Sequence, residues 1–191
     1  MIDSRVISDE NMQHGKPWRG EDVRGWFACE KLDGCRGYWD GSRMWSRSGR
    51  LIPIPCEWSA ELPRMHLDGE IYAGRGQWET TVAAVVRHKW EPSVCFIVFD
   101  APEVAGCWSK RIAAASKKLP CTFAAVTPRA VVKDLVHVSL MFRQVRSENG
   151  EGLILRRPAV PYSTRRTNDV LKIKACPITG ELRWAERRRV A

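Results

Sequence analysis

The chain has 191 residues, with 31 Lys+Arg against 22 Asp+Glu and a formal net charge of +9. With 44% hydrophobic and 28% charged residues, its composition is that of a globular protein, which excludes collagen-like, disordered and membrane-spanning classes. The longest apolar stretches, such as 94–99, fall far short of the ~18 residues a spanning helix needs, and 1–10 lack the apolar core of a signal peptide, so a cytoplasmic location is expected.

From Trp26 to Ile54 the pattern is strand-like. Phe27, Cys29 and Lys31 fall on one face, Ala28 and Glu30 on the other, and Asp33-Gly34 breaks the run. Residues 37–39 and 44–46 flank Asp40-Gly41-Ser42, a hairpin turn, and Ser48-Gly49 turns the chain again before Leu51-Ile52. Leu67 to Tyr72 reads as a strand and Gly74-Arg75-Gly76 as a loop. Trp78 to Lys89 reads as a helix, with Val82, Val85 and Val86 at i, i+3, i+4. Val94 to Phe99 has the length and branching of a buried strand, and Trp108 to Leu119 reads as a short basic helix with Ser109 as its expected cap.

Thr127-Pro128 carries a cap-then-Pro signature, and Val131, Leu135, Val138, Phe142 and Val145 continue from it as the apolar stripe of a long helix ending at Asn149-Gly150. Residues 152–156 and 170–174 are two last strands. Antiparallel hairpins with about three helices and no βα rhythm point to an α+β fold. No repeat or linker divides the chain, so one domain is expected over 1–174, followed by a basic tail, 175–191, that includes Arg187-Arg188-Arg189.

Seven cysteines form no C-x-x-C, and the four histidines are isolated, so buried reduced thiols are expected and a zinc site is not. The positive surplus points to an anionic partner, nucleic acid being the usual one. Nine Trp fit either a core or base-stacking surfaces.

Three groups of residues invite chemistry. Lys31, beside Glu30 and a tight Asp33-Gly34 turn, is rigidly placed; an amine with an ordinary pKa of ~10.4 becomes a nucleophile only when neighbouring cations or a metal free it. Lys172 and Lys174 share one face of the last strand, a second cation pair suited to phosphate. Asp68-Gly69-Glu70 and Glu151-Gly152 set acids beside glycines, suited to Mg²⁺ or ribose hydroxyls, and Phe99-Asp100 offers an aromatic platform.

In this order the residues resemble the signatures of the covalent nucleotidyltransferases: ATP-dependent DNA ligases, RNA ligases and capping enzymes. Lys31-x-Asp33-Gly34-x-Arg36 is similar to the first signature and Ser46-Arg47-Ser48-Gly49 to the next. Asp68-Gly69-Glu70, Phe99-Asp100, Glu151-Gly152-Leu153-Ile154-Leu155-Arg156 and Leu171-Lys172-Ile173-Lys174 are similar to those that follow. The run 68–77, and Arg156-Arg157-Pro158 followed by Pro161-Tyr162, resemble the small bacterial and viral ATP-dependent DNA ligases.

The resemblance implies an ATP-grasp-like adenylation domain of antiparallel sheets flanked by helices, with ATP and Mg²⁺ (or Mn²⁺) as cofactors and nicked double-stranded DNA as partner. It implies an enzyme that seals nicks through a lysyl-AMP and a DNA-adenylate; a monomer is expected, and so reduced an enzyme is one that a virus or mobile element could carry. Lys31 would be the nucleophile, with Asp33, Arg36, Lys172 and Lys174 as further catalytic residues. Glu30, Arg36, Arg47, Glu70, Phe99, Glu151, Lys172 and Lys174 would hold the nucleotide, Phe99 by stacking on adenine. Glu151 and Glu70 would take the metal, and Arg36, Arg47, Arg165 and Arg166 the DNA. Many ligases place Glu two residues before the nucleophile, where this chain has Cys29. They also continue into an OB-fold domain of roughly 100 residues, for which the seventeen residues after Lys174 are too few. Fewer than the residues of an extra nucleotide-recognising domain precede Lys31, which disfavours NAD. A half-reaction enzyme acting on pre-adenylated nicks, an RNA ligase or capping-type enzyme, and a non-catalytic nucleic-acid-binding protein remain as alternatives.

Overall fold

The computed structural model describes residues 7–9, 12–119 and 122–175. The expected tail beyond Ala175 lies outside the described residues, as do Cys121 and Cys176. The chain divides into two compact units. One takes the residues up to Gln13, Asp33–Thr127 and Ala159–Arg165; the other takes His14–Leu32, Pro128–Pro158 and the residues from Arg166 on.

The second unit is a five-stranded sheet with one helix. Its strands are β1 (His14–Pro17), β2 (Phe27–Lys31), β9 (Arg129–Val131), β10 (Gly152–Arg156) and β11 (Arg166–Lys174), in the order β1-β11-β10-β2-β9. Alternation along β2, β10 and β11 turns Ala28, Leu153, Leu155, Leu171 and Ile173 to one face, where they join Val138 and Phe142 of helix α4 (Leu135–Ser147) in the core. Burying side chains of this size stabilises by about 1.5–3 kcal/mol each.

The helix starts at Leu135, seven residues later than Pro128. Asp134 is its N-cap, accepting from the His137 N–H at 2.7 Å, while His137 Nδ1 accepts from the Lys133 N–H at 3.2 Å. Thr127-Pro128 instead precedes edge strand β9, and Val131, assigned to the helical stripe by spacing, is a β9 residue left 51% exposed.

The first unit is a six-stranded sheet. It comprises β3 (Cys35–Trp39), β4 (Met44–Ser46), β5 (Leu51–Ile52), β6 (Leu67–Tyr72), β7 (Cys95–Asp100) and β8 (Ala124–Val126), in the order β5-β4-β3-β6-β7-β8. Helices α1 (Cys56–Glu61), α2 (Trp78–Arg87) and α3 (Trp108–Ser116) accompany it; α3 contacts β7 and β8, and α2 contacts β6 and β3. The β3–β4 turn forms as expected: Asp40 Oδ1 accepts from the Ser42 and Arg43 N–H groups at 2.9 and 2.7 Å.

The fold is α+β, with four further differences of detail. Its sheets are mixed, since β1 pairs parallel to β11 and β7 parallel to β8. The described residues form four helices rather than three, α1 being too short for a periodic signal. In α2 the buried positions are Thr81 and Ala84, while Val86 is exposed. Cys107, not Ser109, occupies the N-cap of α3, and no side chain caps it.

Candidate functional site

In the second unit, the face of the sheet away from α4 carries the lysines. Gly152 of β10 stands opposite Lys31 on one side and Lys174 on the other, and Ile154 stands opposite Cys29 and Lys172. Residues directly opposite share a face, so Lys31, Lys172 and Lys174 point the same way. Gly152 places no side chain between Lys31 and Lys174, and its backbone lies so close to β11 that an added Cβ would stand 2.1 Å from the Ile173 carbonyl oxygen.

Glu151 fills that lane. Its Oε2 accepts a hydrogen bond from Lys31 Nζ, and its Oε1 lies 2.7 Å from Lys174 Nζ. Burial alone would raise the Glu151 pKa, but the hydrogen bonds from Lys174 and Lys31 outweigh it and hold the group below its ordinary value. Three ammonium groups and one carboxylate make a net positive face suited to a polyphosphate. Glu30, adjacent to Lys31, falls on the α4 face; a Cβ built on Gly150 would stand 2.8 Å from its Oε1 and 2.4 Å from Val145 Cγ1. The structure therefore does not bring Glu30 to the lysines.

In the first unit the sheet presents Arg36, Tyr38, Asp68 and Glu70 side by side, Arg36 opposite Glu70 and Tyr38 opposite Asp68. Asp68 is fully buried and grips Arg36 with both oxygens, from Nε at 2.9 Å and Nη2 at 2.5 Å. Arg36 Nη1 donates to the Gln13 carbonyl at 2.9 Å. Burial works against the Arg36 charge, yet the Asp68 carboxylate outweighs it and lifts the guanidinium further above its ordinary pKa. Opposite Asp68 and Gly69 the register of β7 shifts by one residue, and Phe99 is the extra residue there. Its half-buried ring lies 5.5 Å from Arg36 Cζ.

Asp33 is exposed in the turn after β2. Burial, then the charges of Glu70 and Asp33, push the Cys35 thiol up to about 11. Arg47 is exposed and pairs with Asp9 at 3.1 Å, a surface pair worth little and easily exchanged for phosphate. Arg165 and Arg166 are both exposed, the second on β11.

The residues present do not form a metal cage. Lysines occupy both Glu151 oxygens, and among the described residues no group of three or more His, Cys, Asp or Glu is placed to hold an ion. No helix among the described residues is long and apolar enough to cross a membrane.

Sequence reading assigned no role to two participants. Tyr162 donates to Asp68 Oδ2 at 2.9 Å across 94 residues of chain, and Gln13 contributes its main-chain N–H and carbonyl. Burial, then the charge of Asp68, pushes the Tyr162 hydroxyl well above its ordinary pKa, so it remains a donor.

No family model matches the chain. It is 31% identical over 163 residues to a DNA ligase of Haemophilus influenzae, covering 82% of this chain and 60% of that protein's length. Among solved structures it resembles a Lig E DNA ligase studied for DNA binding with a minimal scaffold. The TM-score is 0.79 at 26% identity, over 86% of this chain and 68% of that one. The fold also matches the Chlorella virus DNA ligase-adenylate, with a TM-score of 0.71 at 18% identity over 86% of this chain and 68% of that one. It matches the ATP-dependent DNA ligase of bacteriophage T7 in complex with ATP, with a TM-score of 0.64 at 16% identity over 88% of this chain and 70% of that one. The fold is that of the adenylation domain of DNA ligases.

Proposed function

We propose that this chain, an ATP-dependent DNA ligase nucleotidyltransferase domain by fold and sequence similarity, seals 5′-phosphate/3′-hydroxyl nicks in duplex DNA. The observation that carries the reading is the single lysine face on which Lys31, Lys172 and Lys174 gather, with Glu151 bonded to the first and last. Lys31 Nζ attacks the α-phosphorus of ATP. Before the attack the Lys31 ammonium yields one proton to Glu151, already its hydrogen-bond partner; the N–P bond then forms, the bond to pyrophosphate breaks, and the second nitrogen proton leaves with the pyrophosphate. Lys172 and Lys174 offset the charge that gathers on the α-phosphate oxygens. AMP then passes from Lys31 to the 5′-phosphate of the nick, and the 3′-hydroxyl displaces it as the phosphodiester forms.

By resemblance, Phe99 stacks on adenine, Glu70 takes the ribose hydroxyls, and Arg36, Arg47, Arg165 and Arg166 take phosphates of nucleotide or DNA. Glu30, on the opposite face from the lysines, has no part in this reading. Mg²⁺ enters with the triphosphate, MgATP being the substrate. The protein works as a monomer, and its free thiols, five of which are described, suit a reducing cytoplasm.

The test is intact mass after incubation with MgATP and denaturation. One AMP adduct is expected on the wild type and none on Lys31→Ala. No adduct on either protein would sink self-charging. Nicked duplex with and without a preformed 5′-adenylate then separates a full ligase, which seals both, from a half-reaction enzyme, which seals only the second.

A further inference from the structure

Tyr162 lies in the segment between β10 and β11, within Ala159–Arg165, and belongs to the first unit. Its hydroxyl has one proton to give and lone pairs to receive. The Gln13 N–H donates to it at 3.0 Å, and it donates to Asp68 Oδ2 at 2.9 Å. Asp68 holds Arg36 through Nε and Nη2, and Arg36 Nη1 returns to the Gln13 carbonyl. The four groups close a ring that begins and ends on the main chain of one residue. Three of the five Arg36 N–H donors are committed within it, and the guanidinium carbon stands 5.5 Å from the Phe99 ring centre.

An aspartate carboxylate rotates broadly about its last torsion, and a two-bond grip on a guanidinium lets both groups swing together. A third donor, arriving from a different element, removes that freedom. We infer that Tyr162 is a positioning residue for nucleotide recognition: its hydroxyl fixes the Asp68 carboxylate, which in turn holds Arg36 over Phe99 with two N–H donors open to the nucleotide. The nucleotide half of this statement rests on the proposed function; the orientation of Arg36 does not.

Tyr162→Phe removes the hydroxyl and keeps the ring, which also lies 5.9 Å from Arg111 Cζ. The first readout needs no nucleotide: hydrogen exchange of the Arg36 side-chain Nε–H by NMR. Exchange at least about tenfold faster in Tyr162→Phe than in the wild type is expected. The second is the kinetics of lysyl-AMP formation. The KM for ATP is expected to rise about five- to tenfold while kcat moves less than about twofold. Tyr162→Phe added to Arg36→Lys should cost nothing further, because the hydroxyl acts only through that arginine. Should Tyr162→Phe fold poorly, Tyr162→Leu, which likewise removes the hydroxyl and leaves Asp68 and Arg36 intact, should show the same faster exchange. Unchanged Arg36 exchange, or a cost that adds to that of Arg36→Lys, overturns the inference. A wild type that forms no lysyl-AMP sinks the proposed function instead, and the exchange measurement still decides whether Tyr162 orients Arg36.

Discussion

At Glu151 burial and charge pull in opposite directions, and the lysines win: desolvation alone would raise the carboxyl pKa, but Lys174 and Lys31 hold it below the ordinary 4.5. A carboxyl with a depressed folded pKa contributes stability that is fully present above its ordinary value and is lost as pH falls through the folded one. Glu151→Gln should therefore be less stable than the wild type at neutral pH, by roughly 1–2 kcal/mol. The gap should close progressively as pH falls below about 4.5. Urea midpoints of both proteins across that range check it, and a gap that stays constant would show that Glu151 is not ion-paired in solution. Alternation alone made Lys172 and Lys174 legible as a pair in the sequence. The bridge to Lys31 was not, because Glu151 is 120 residues away and only the β2–β10–β11 register brings it there. The role of Tyr162 was hidden for the same reason: a tyrosine in a loop gives no local sign of the buried carboxylate it serves.

The elements read best where one local pattern had no rival. Strand β6, the β3–β4 hairpin and β10 fall close to where alternation and turn chemistry put them. The region 127–135 failed because two signals competed. Thr-Pro suits a helix start, but it equally suits the approach to an edge strand, where the missing proline N–H disturbs no ladder. The decisive signal was Asp134 followed three residues later by His137, each side chain accepting from a main-chain N–H near the helix start. Asp134→Ala should cost about 1 kcal/mol, since it leaves the His137 N–H without its acceptor at the mouth of the helix that carries Val138 and Phe142 into the core. Denaturant unfolding checks the size. Asp134→Asn or Ser, which still accept, should recover most of the loss; recovery by neither would mean that the charge or packing of Asp134, not the cap, matters.

At the scale of the whole molecule, the two interleaved units explain why no linker was visible: the chain passes from one to the other several times, each time within ordinary loop or strand-end sequence. The net charge of +9 was legible from the start, but only as a surplus. The pairs Arg36–Asp68 and Arg111–Asp100 each take one charge of either sign and leave that surplus unchanged, while Glu151 offsets only one of Lys31 and Lys174. The candidates for DNA phosphates are Arg36, Arg47, Arg165 and Arg166, the last three exposed. Each phosphate neutralised releases counterions, so the logarithm of the binding constant falls with the logarithm of salt at about −0.9 per contact. Four contacts give a slope near −3.6, a loss of affinity of roughly 150-fold between 50 and 200 mM salt. Fluorescence anisotropy with a labelled nicked duplex measures the slope directly. Replacing Arg165 and Arg166 by Gln should flatten it by about two units while changing affinity little between duplex sequences. A slope near zero in the wild type would mean that phosphates are not what these arginines hold, and a double variant with the wild-type slope would move the contacts away from Arg165 and Arg166 to other cations.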